Sequence, residues 1–96
     1  TNPTHFAVAI KWERHTMEAP MVTAKGEGNV ARRIKRIAKD SNVPIVENKP
    51  LARSLYATVA VGQMIPQTYF NAIAVILSKV YSMDEQKMKE MTGGVI

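Results

Sequence analysis

Near its start the sequence reads Asn2-Pro3-Thr4-His5, four residues able to act on one another. An Asn side chain reacts with its own backbone in two directions. In the commoner one, the next residue's amide nitrogen attacks the side-chain carbonyl, and the product is deamidation. Before Pro that nitrogen carries no hydrogen, so this route is closed. The other route stays open. The Asn2 side-chain nitrogen attacks its own main-chain carbonyl, a succinimide closes, and the Asn2-Pro3 bond breaks. An amide nitrogen is a weak nucleophile, so the reaction depends on orientation. It also needs a hydrogen-bond donor for the oxyanion and a proton for the departing Pro3 nitrogen. Thr4 is suited to holding the turn. His5, an imidazole able both to take and to give a proton, is suited to moving it. The plainer reading of the same string is an inert turn, which Asn-Pro commonly opens.

Such a turn has to be held by regular structure. Phe6, Val8, Ile10 and Trp12 alternate with Ala7, Ala9 and Lys11, which predicts a strand with one large apolar face and one small one, the latter open to a covering helix. Residues 13–20 read as a loop ending in Pro20, and Met21 to Ala24 as a second short strand. Lys25-Gly26-Glu27-Gly28 is expected to turn the chain. Val30, Ala31, Ile34, Ile37 and Ala38 then recur at helical spacing behind Asn29, a plausible N-cap, up to about Asp40 to Asn42. Val43 to Glu47 reads as an edge strand, which makes strand–helix–strand a βαβ unit. A helix follows Lys49-Pro50, with Leu51, Leu55, Tyr56 and Val59 on one side and Gly62 as its breaker. Pro66 starts a longer helix carrying Phe70, Ile73, Ala74, Leu77, Val80 and Tyr81. Ser82-Met83-Asp84-Glu85 is a candidate capping box for a further one. The expected fold is a single small α/β domain: a short mixed sheet with a βαβ unit and about four surrounding helices. Gly93, Gly94 and the residues behind them read as a frayed tail, 93–96.

The composition limits the chemistry. The chain has 96 residues, 46% of them hydrophobic, enough for one cored domain. It has no cysteine, which removes disulfides, thiol nucleophiles and thiolate zinc sites. Its two histidines, His5 and His15, have no acidic cluster beside them, so no metal site is expected. Ser41, Ser54, Ser78 and Ser82 lack a visible base-and-acid set. The longest apolar run, Ala72 to Leu77, is far short of a membrane span.

Two further features invite a binding role. Gly26-Glu27-Gly28-Asn29-Val30-Ala31 fits G-x-G-x-x-A between a strand and a helix, and Glu47 ends the next strand near the spacing of a ribose-binding acid. That supports a dinucleotide site, against which stands a tight turn needing glycine. The formal net charge is +5, and Arg32, Arg33, Lys35, Arg36 and Lys39 concentrate it on one helix, off the apolar stripe. These five residues form either a solvated face or a contact for an anionic partner. No aromatic residues accompany them for stacking on bases, which disfavours nucleic acid.

Asn2-Pro3-Thr4-His5 and the strand behind it do not stand alone. Ala19-Pro20, Ala24-Lys25-Gly26 with Gly28, Val43-Pro44, Pro50-Leu51-Ala52-Arg53 with Leu55-Tyr56, Ile65-Pro66 and Tyr81 follow in order. Together, over roughly residues 1–82, they resemble the cytoplasmic domain of the FlhB/YscU family, the self-cleaving switch proteins of flagellar and injectisome type III secretion. The Ala-Lys-Gly and Pro-Leu-Ala-Arg forms are more similar to the flagellar branch. The resemblance implies that residues 1–92 are a self-cleaving export-switch domain with Asn2 as the cleaving residue, Pro3 as the new N-terminus, and Thr4 and His5 completing the motif. Cleavage would be a single intramolecular event rather than enzymatic turnover, with the two pieces staying together. It would let the export gate change from rod and hook proteins to filament proteins. The resemblance also implies membrane helices upstream, a place at the cytoplasmic face of the bacterial inner membrane, and membrane contact only through that upstream part. The implied partners are that upstream part, other export-gate components and exported proteins, with neither cofactor nor nucleic acid. It places a strand just before Asn2, paired with Phe6 to Trp12, where this sequence has only Thr1. The rival reading is a nucleotide- or nucleic-acid-binding βαβ module built on Gly26, Gly28 and the basic helix.

Overall fold

Phe6–Lys11 forms β1, the middle strand of a three-stranded sheet in the computed structural model, which describes residues 4–13, 16–81 and 93–96. Met21–Glu27 forms β2 and Gly93–Val95 forms β3, both antiparallel to β1, in the order β2-β1-β3. The alternation in β1 sorts its side chains as expected. Val8 and Ile10 are buried on one face with Val22, and Ala7 and Ala9 lie on the other.

β2 is longer than its sequence indicates. It continues through Lys25, Gly26 and Glu27, pairing Phe6 with Glu27 and Ala7 with Gly26. The chain reverses in a single residue, Gly28, at φ +59°. Helix α1, Gly28–Asp40, therefore starts earlier than expected. Glu27 takes the N-cap position, and Asn29 sits inside the first turn, where its side chain accepts from the Arg32 guanidinium at 3.5 Å. So sharp a return lays α1 directly on β2, and a Cβ at Gly26 would collide with Val30. The helix ends cleanly. Asn42 takes φ 57°, its N–H donates to the Lys39 carbonyl at 3.3 Å, and the Val43 N–H donates to the Ala38 carbonyl at 2.8 Å, the paired bonds of a Schellman motif.

Only one bridge survives of the expected strand at Val43 to Glu47: Ile45 pairs with Val95, in parallel. Pro44 has no N–H to donate, which shortens the ladder. That bridge makes the sheet mixed. Residues 43–47 run parallel to β2 as a βαβ unit requires, but β1 and β3 lie between them. On the other side, residues 62–65 flank β2. Gly62 N–H donates to the Val22 carbonyl, Ile65 N–H to that of Pro20, and Val22 N–H to that of Gln63.

The residues expected to fray, 93–96, are the largest departure. They fill the slot between β1 and Ile45. Val8 and Ile96 exchange both backbone hydrogen bonds, at 3.0 and 2.9 Å, and Val95 bonds to Pro44 and Val46. Val95 and Ile96 are 4% and 3% exposed. A backbone approach this close excludes a side chain at Gly93, whose Cβ would run into the Ile10 carbonyl oxygen.

Helix α2, Lys49–Thr58, has Asn48 as N-cap, its side chain accepting from Leu51 N–H at 3.1 Å, with Pro50 in the first turn. Leu51, Ala52 and Leu55 enter the main core with Val8, Ile10, Val59, Ile65 and Ile96. Lys25 crosses from β2 to close the end of α2, donating at 2.9 Å to the Tyr56 and Val59 carbonyls. Pro66 precedes a 3-10 turn, Gln67–Tyr69, before helix α3, Phe70–Tyr81. α3 buries Ile73 and Ile76, while Ala74, assigned to the stripe, is exposed. Tyr69 OH meets Ser54 Oγ at 2.7 Å and Thr58 Oγ1 at 2.9 Å, and these bonds lower its pKa, Ser54 first. The candidate box at Ser82 to Glu85 lies outside the described residues.

Candidate functional site

Asn2 and Pro3 lie outside the described residues, as does His15; Thr4 and His5 lie within them. Thr4 is exposed and His5 half-buried. What the structure supplies is the anchor just behind Pro3 and Thr4. The His5 carbonyl accepts the Gly28 N–H at 2.9 Å, tying the start of β1 to the start of α1. Phe6 packs against Tyr56, with ring centroids 5.5 Å apart and planes tilted by 59°. The Arg53 guanidinium lies 5.9 Å from the Phe6 ring centre, and the Lys25 ammonium 5.3 Å from that of Tyr56. Thus Phe6, three residues after Pro3, is held by α2 and the residue before it by the turn into α1. None of these contacts is announced by periodicity. Phe6 reads as one more apolar strand residue, and only the fold shows that it carries the anchor.

The basic residues fall on the outer side of α1. Arg32, Arg33, Arg36 and Lys39 are exposed. Lys35 is half-buried and borders a small hollow together with Thr4 and Glu47. Among the described residues the ion pairs are Lys11–Glu13 at 3.3 Å and Lys49–Glu47 at 4.0 Å, and neither involves α1. The apolar side of α1 differs from its sequence pattern. Ala31, Ile34 and Ala38 face the sheet, whereas Val30 and Ile37 are 55% and 54% exposed. The sheet beneath α1 presents Ala7, Ala9, Ala24 and Gly26, with Val95 beside Ala9. Small residues let the helix sit close, so its buried stripe is narrow.

A sequence profile of the FlhB HrpN YscU SpaS family matches residues 1–80. The chain belongs to that family. The flagellar biosynthetic protein FlhB of Borreliella burgdorferi is 54% identical over 86 residues, which are 90% of this chain and 23% of that protein. FlhB of Bacillus subtilis is 44% identical over 86 residues, 90% of this chain and 24% of that protein. Among solved structures, the PscU C-terminal domain superposes with a TM-score of 0.77 at 36% identity, covering 81% of this chain and 99% of that one. The cytoplasmic domain of FlhB from Shewanella putrefaciens gives 0.75 at 41% identity, covering 84% and 67%. The chain spans about a quarter of the length of the FlhB proteins it matches, and corresponds to the C-terminal cytoplasmic domain of the family. Among the described residues no helix is long and apolar enough to cross a membrane.

In this FlhB-family domain the glycine motif is explained by packing. Gly26 lets α1 approach β2, and Gly28 makes the reversal. The acid of the expected fingerprint is not brought to them. Glu47 follows the Ile45 bridge, and three strand spacings of about 4.8 Å separate that bridge from β2. In a dinucleotide fold the corresponding strands are neighbours.

Proposed function

We propose that the chain is the self-cleaving switch domain of a flagellar type III export gate, cut between Asn2 and Pro3 by cyclisation of Asn2. The observation that carries this reading is the string Asn2-Pro3-Thr4-His5 leading into a strand anchored at His5 and Phe6, in a chain of the FlhB family. The reading is supported by solved EscU C-terminal domains altered at an Asn-Pro pair of their own. They were made with an Asn changed to Asp or to Ala, and with the Pro after it changed to Ala. In the step itself Asn2 Nδ2 forms a bond to its own carbonyl carbon, and the bond to the Pro3 nitrogen breaks. One proton passes from Nδ2 to that nitrogen, with His5 as carrier. The two fragments together have the mass of the parent until water opens the succinimide. A weak nucleophile depends on orientation, and fixed residues 5 and 6 give the segment before them a defined attachment. Cleavage then permits the gate to change the class of protein it exports. The basic face of α1, Arg32, Arg33, Lys35, Arg36 and Lys39, contacts another component of the apparatus.

The test uses the chain extended by its upstream segment and followed by intact mass over time and pH. Wild type gives two fragments meeting at Pro3. Asn2→Ala gives none. Pro3→Ala restores a backbone N–H, so deamidation competes and cleavage slows sharply. His5→Ala slows cleavage less than Asn2→Ala, within the range of about 10²–10⁴-fold typical of acid–base help. Cleavage of purified Asn2→Ala at the wild-type rate would end the proposal and implicate an outside protease. For the basic face, Arg33→Glu with Arg36→Glu leaves folding intact and weakens export in a salt-sensitive way. Unchanged export would reduce the patch to solvated surface.

A further inference from the structure

Beside α1 the sheet is not fully covered. An open groove of about 500 Å³ runs along it, with Ala9, Ala24, Gly94 and Val95 as floor, Ile34 and Ile37 as one wall and Val43 as the other. Apart from Val95 the floor carries little or no side chain, and the wall contributes Ile37, more than half exposed on a folded helix. Lys11 stands at one end. From about 100° per residue, Arg33 lies only about 40° around the helix from Ile37, with Arg36 on the crest. α1 carries five cations against one acid, Asp40, and among the described residues Lys11 is paired with Glu13. At a Debye length of about 10 Å, comparable with the width of a helix, Arg33 and Arg36 are the cations of α1 best placed to act on whatever lies in the groove.

We propose that this groove seats an acidic peptide segment of another protein, anchored by apolar side chains against Ile34, Ile37 and the small-residue floor, with its carboxylates along Arg33 and Arg36. The proposal deepens the reading of α1 as a contact surface and is independent of self-cleavage. A second copy of the chain is the wrong occupant, because its charge is also +5. A lipid surface is flat and cannot reach the floor of a concave site.

The probe is a fluorescently labelled amphipathic peptide of about 15 residues, with Leu at helical spacing and Glu elsewhere. It is titrated into the whole chain by anisotropy, with amide NMR shifts recorded alongside. Controls are the same peptide with Lys for Glu, and with Ala for Leu. The Leu/Glu peptide binds, its affinity falls at least about tenfold between about 0.1 M and 1 M salt, and the shifts gather at Ala24, Ile37 and Gly94. Ile37→Ser and Arg33→Glu, both exposed and checked for unchanged melting, each weaken binding about tenfold or more. Lys49→Glu, a basic site on α2, leaves it unaltered. The proposal falls if the peptide does not bind, if the Lys or Ala peptide binds as well, or if the shifts lie elsewhere. It also falls if anionic phosphatidylglycerol vesicles bind through α1 while Ile37→Ser makes no difference. If export responds to Arg33→Glu with Arg36→Glu but the peptide finds no groove, the contact role of α1 stands and only the groove is lost.

Discussion

Ile96→Ala tests whether the last four residues belong to the sheet. Ile96 is 3% exposed and sits in the core with Val8, Leu51 and Leu55. Truncating a fully buried Ile to Ala costs about 2–5 kcal/mol, made up of lost transfer energy and the cavity left behind. β3 is three residues long and can relax more than a central strand, so the expected cost is at the lower end, about 2–3 kcal/mol. The backbone bonds between Val8 and Ile96 are untouched by the change, so the loss reports side-chain packing alone. A domain of this size is stable by roughly 5–14 kcal/mol, so the loss is a large fraction of the whole. In melting temperature it amounts to roughly 10–20 °C. Equilibrium urea unfolding gives the energy directly, with the midpoint falling and the slope unchanged. Ile37→Ala is the control, since Ile37 is 54% exposed, and it is expected to stay within about 0.5 kcal/mol of wild type. Equal, small effects of the two substitutions would mean that residues 93–96 are not packed into the sheet, and the role given to Gly93 would go with them.

Gly26→Ala forces a methyl into Val30 and is expected to destabilise by about 1–3 kcal/mol, read by urea unfolding; no loss would mean that α1 does not lie so close to β2. Lys25→Met keeps the stem but leaves the Tyr56 and Val59 carbonyls without their donor, for a loss of about 1–3 kcal/mol, with amide exchange quickened at the end of α2. The Glu13 carboxyl is held below its ordinary pKa by the Thr16 hydroxyl and then by Lys11. A lowered carboxylate pKa adds stability above the unfolded value and loses it as pH falls through the folded one. Thr16→Ala should therefore melt slightly lower than wild type at neutral pH and alike in acid, below both pKa values; a gap that persists in acid would show that the hydroxyl acts by other means.

Where side-chain period alone decides placement, the sequence is a good guide. β1 sorts Val8 and Ile10 from Ala7 and Ala9, and α2 buries Leu51 and Leu55, because each pattern meets a full partner surface. It fails where a neighbour distant in sequence decides. Gly26 reads as a turn residue, since its need for space comes from Val30 across the reversal. Val30 and Ile37 read as core, yet with small residues beneath α1 it is Ala31, Ile34 and Ala38 that pack between helix and sheet, while Val30, against Gly26, and Ile37 stay more than half exposed. The GGVI end has the composition of a loose tail. Its place is fixed by bonds to Val8, Pro44 and Val46, about 50 to 90 residues earlier, which no local pattern records. At the candidate site the string Asn2-Pro3-Thr4-His5 is visible in the sequence, because the chemistry proposed for it is local to the chain. Its anchoring by Phe6, Tyr56, Arg53 and Gly28 is not.

Those anchors bear on how the two proposed activities are related. The Gly28 N–H that bonds to the His5 carbonyl belongs to the first residue of α1, so the helix with the basic face and the start of β1 share one hydrogen bond. Gly28 holds φ +59° to make that bond, a conformation that costs most other residues about 1 kcal/mol or more. On the opposite flank, Arg53 and Tyr56 tie Phe6 to α2. Residues 5 and 6 are thus fixed from both faces of the sheet. The proposed cut at Asn2-Pro3 would fall on the upstream side of these anchors. The proposal therefore expects the basic face and the groove beside it to keep their shape through such a cut. What a cut would change is the path of the chain before Pro3, and so which surfaces that chain covers, rather than the folded domain behind it.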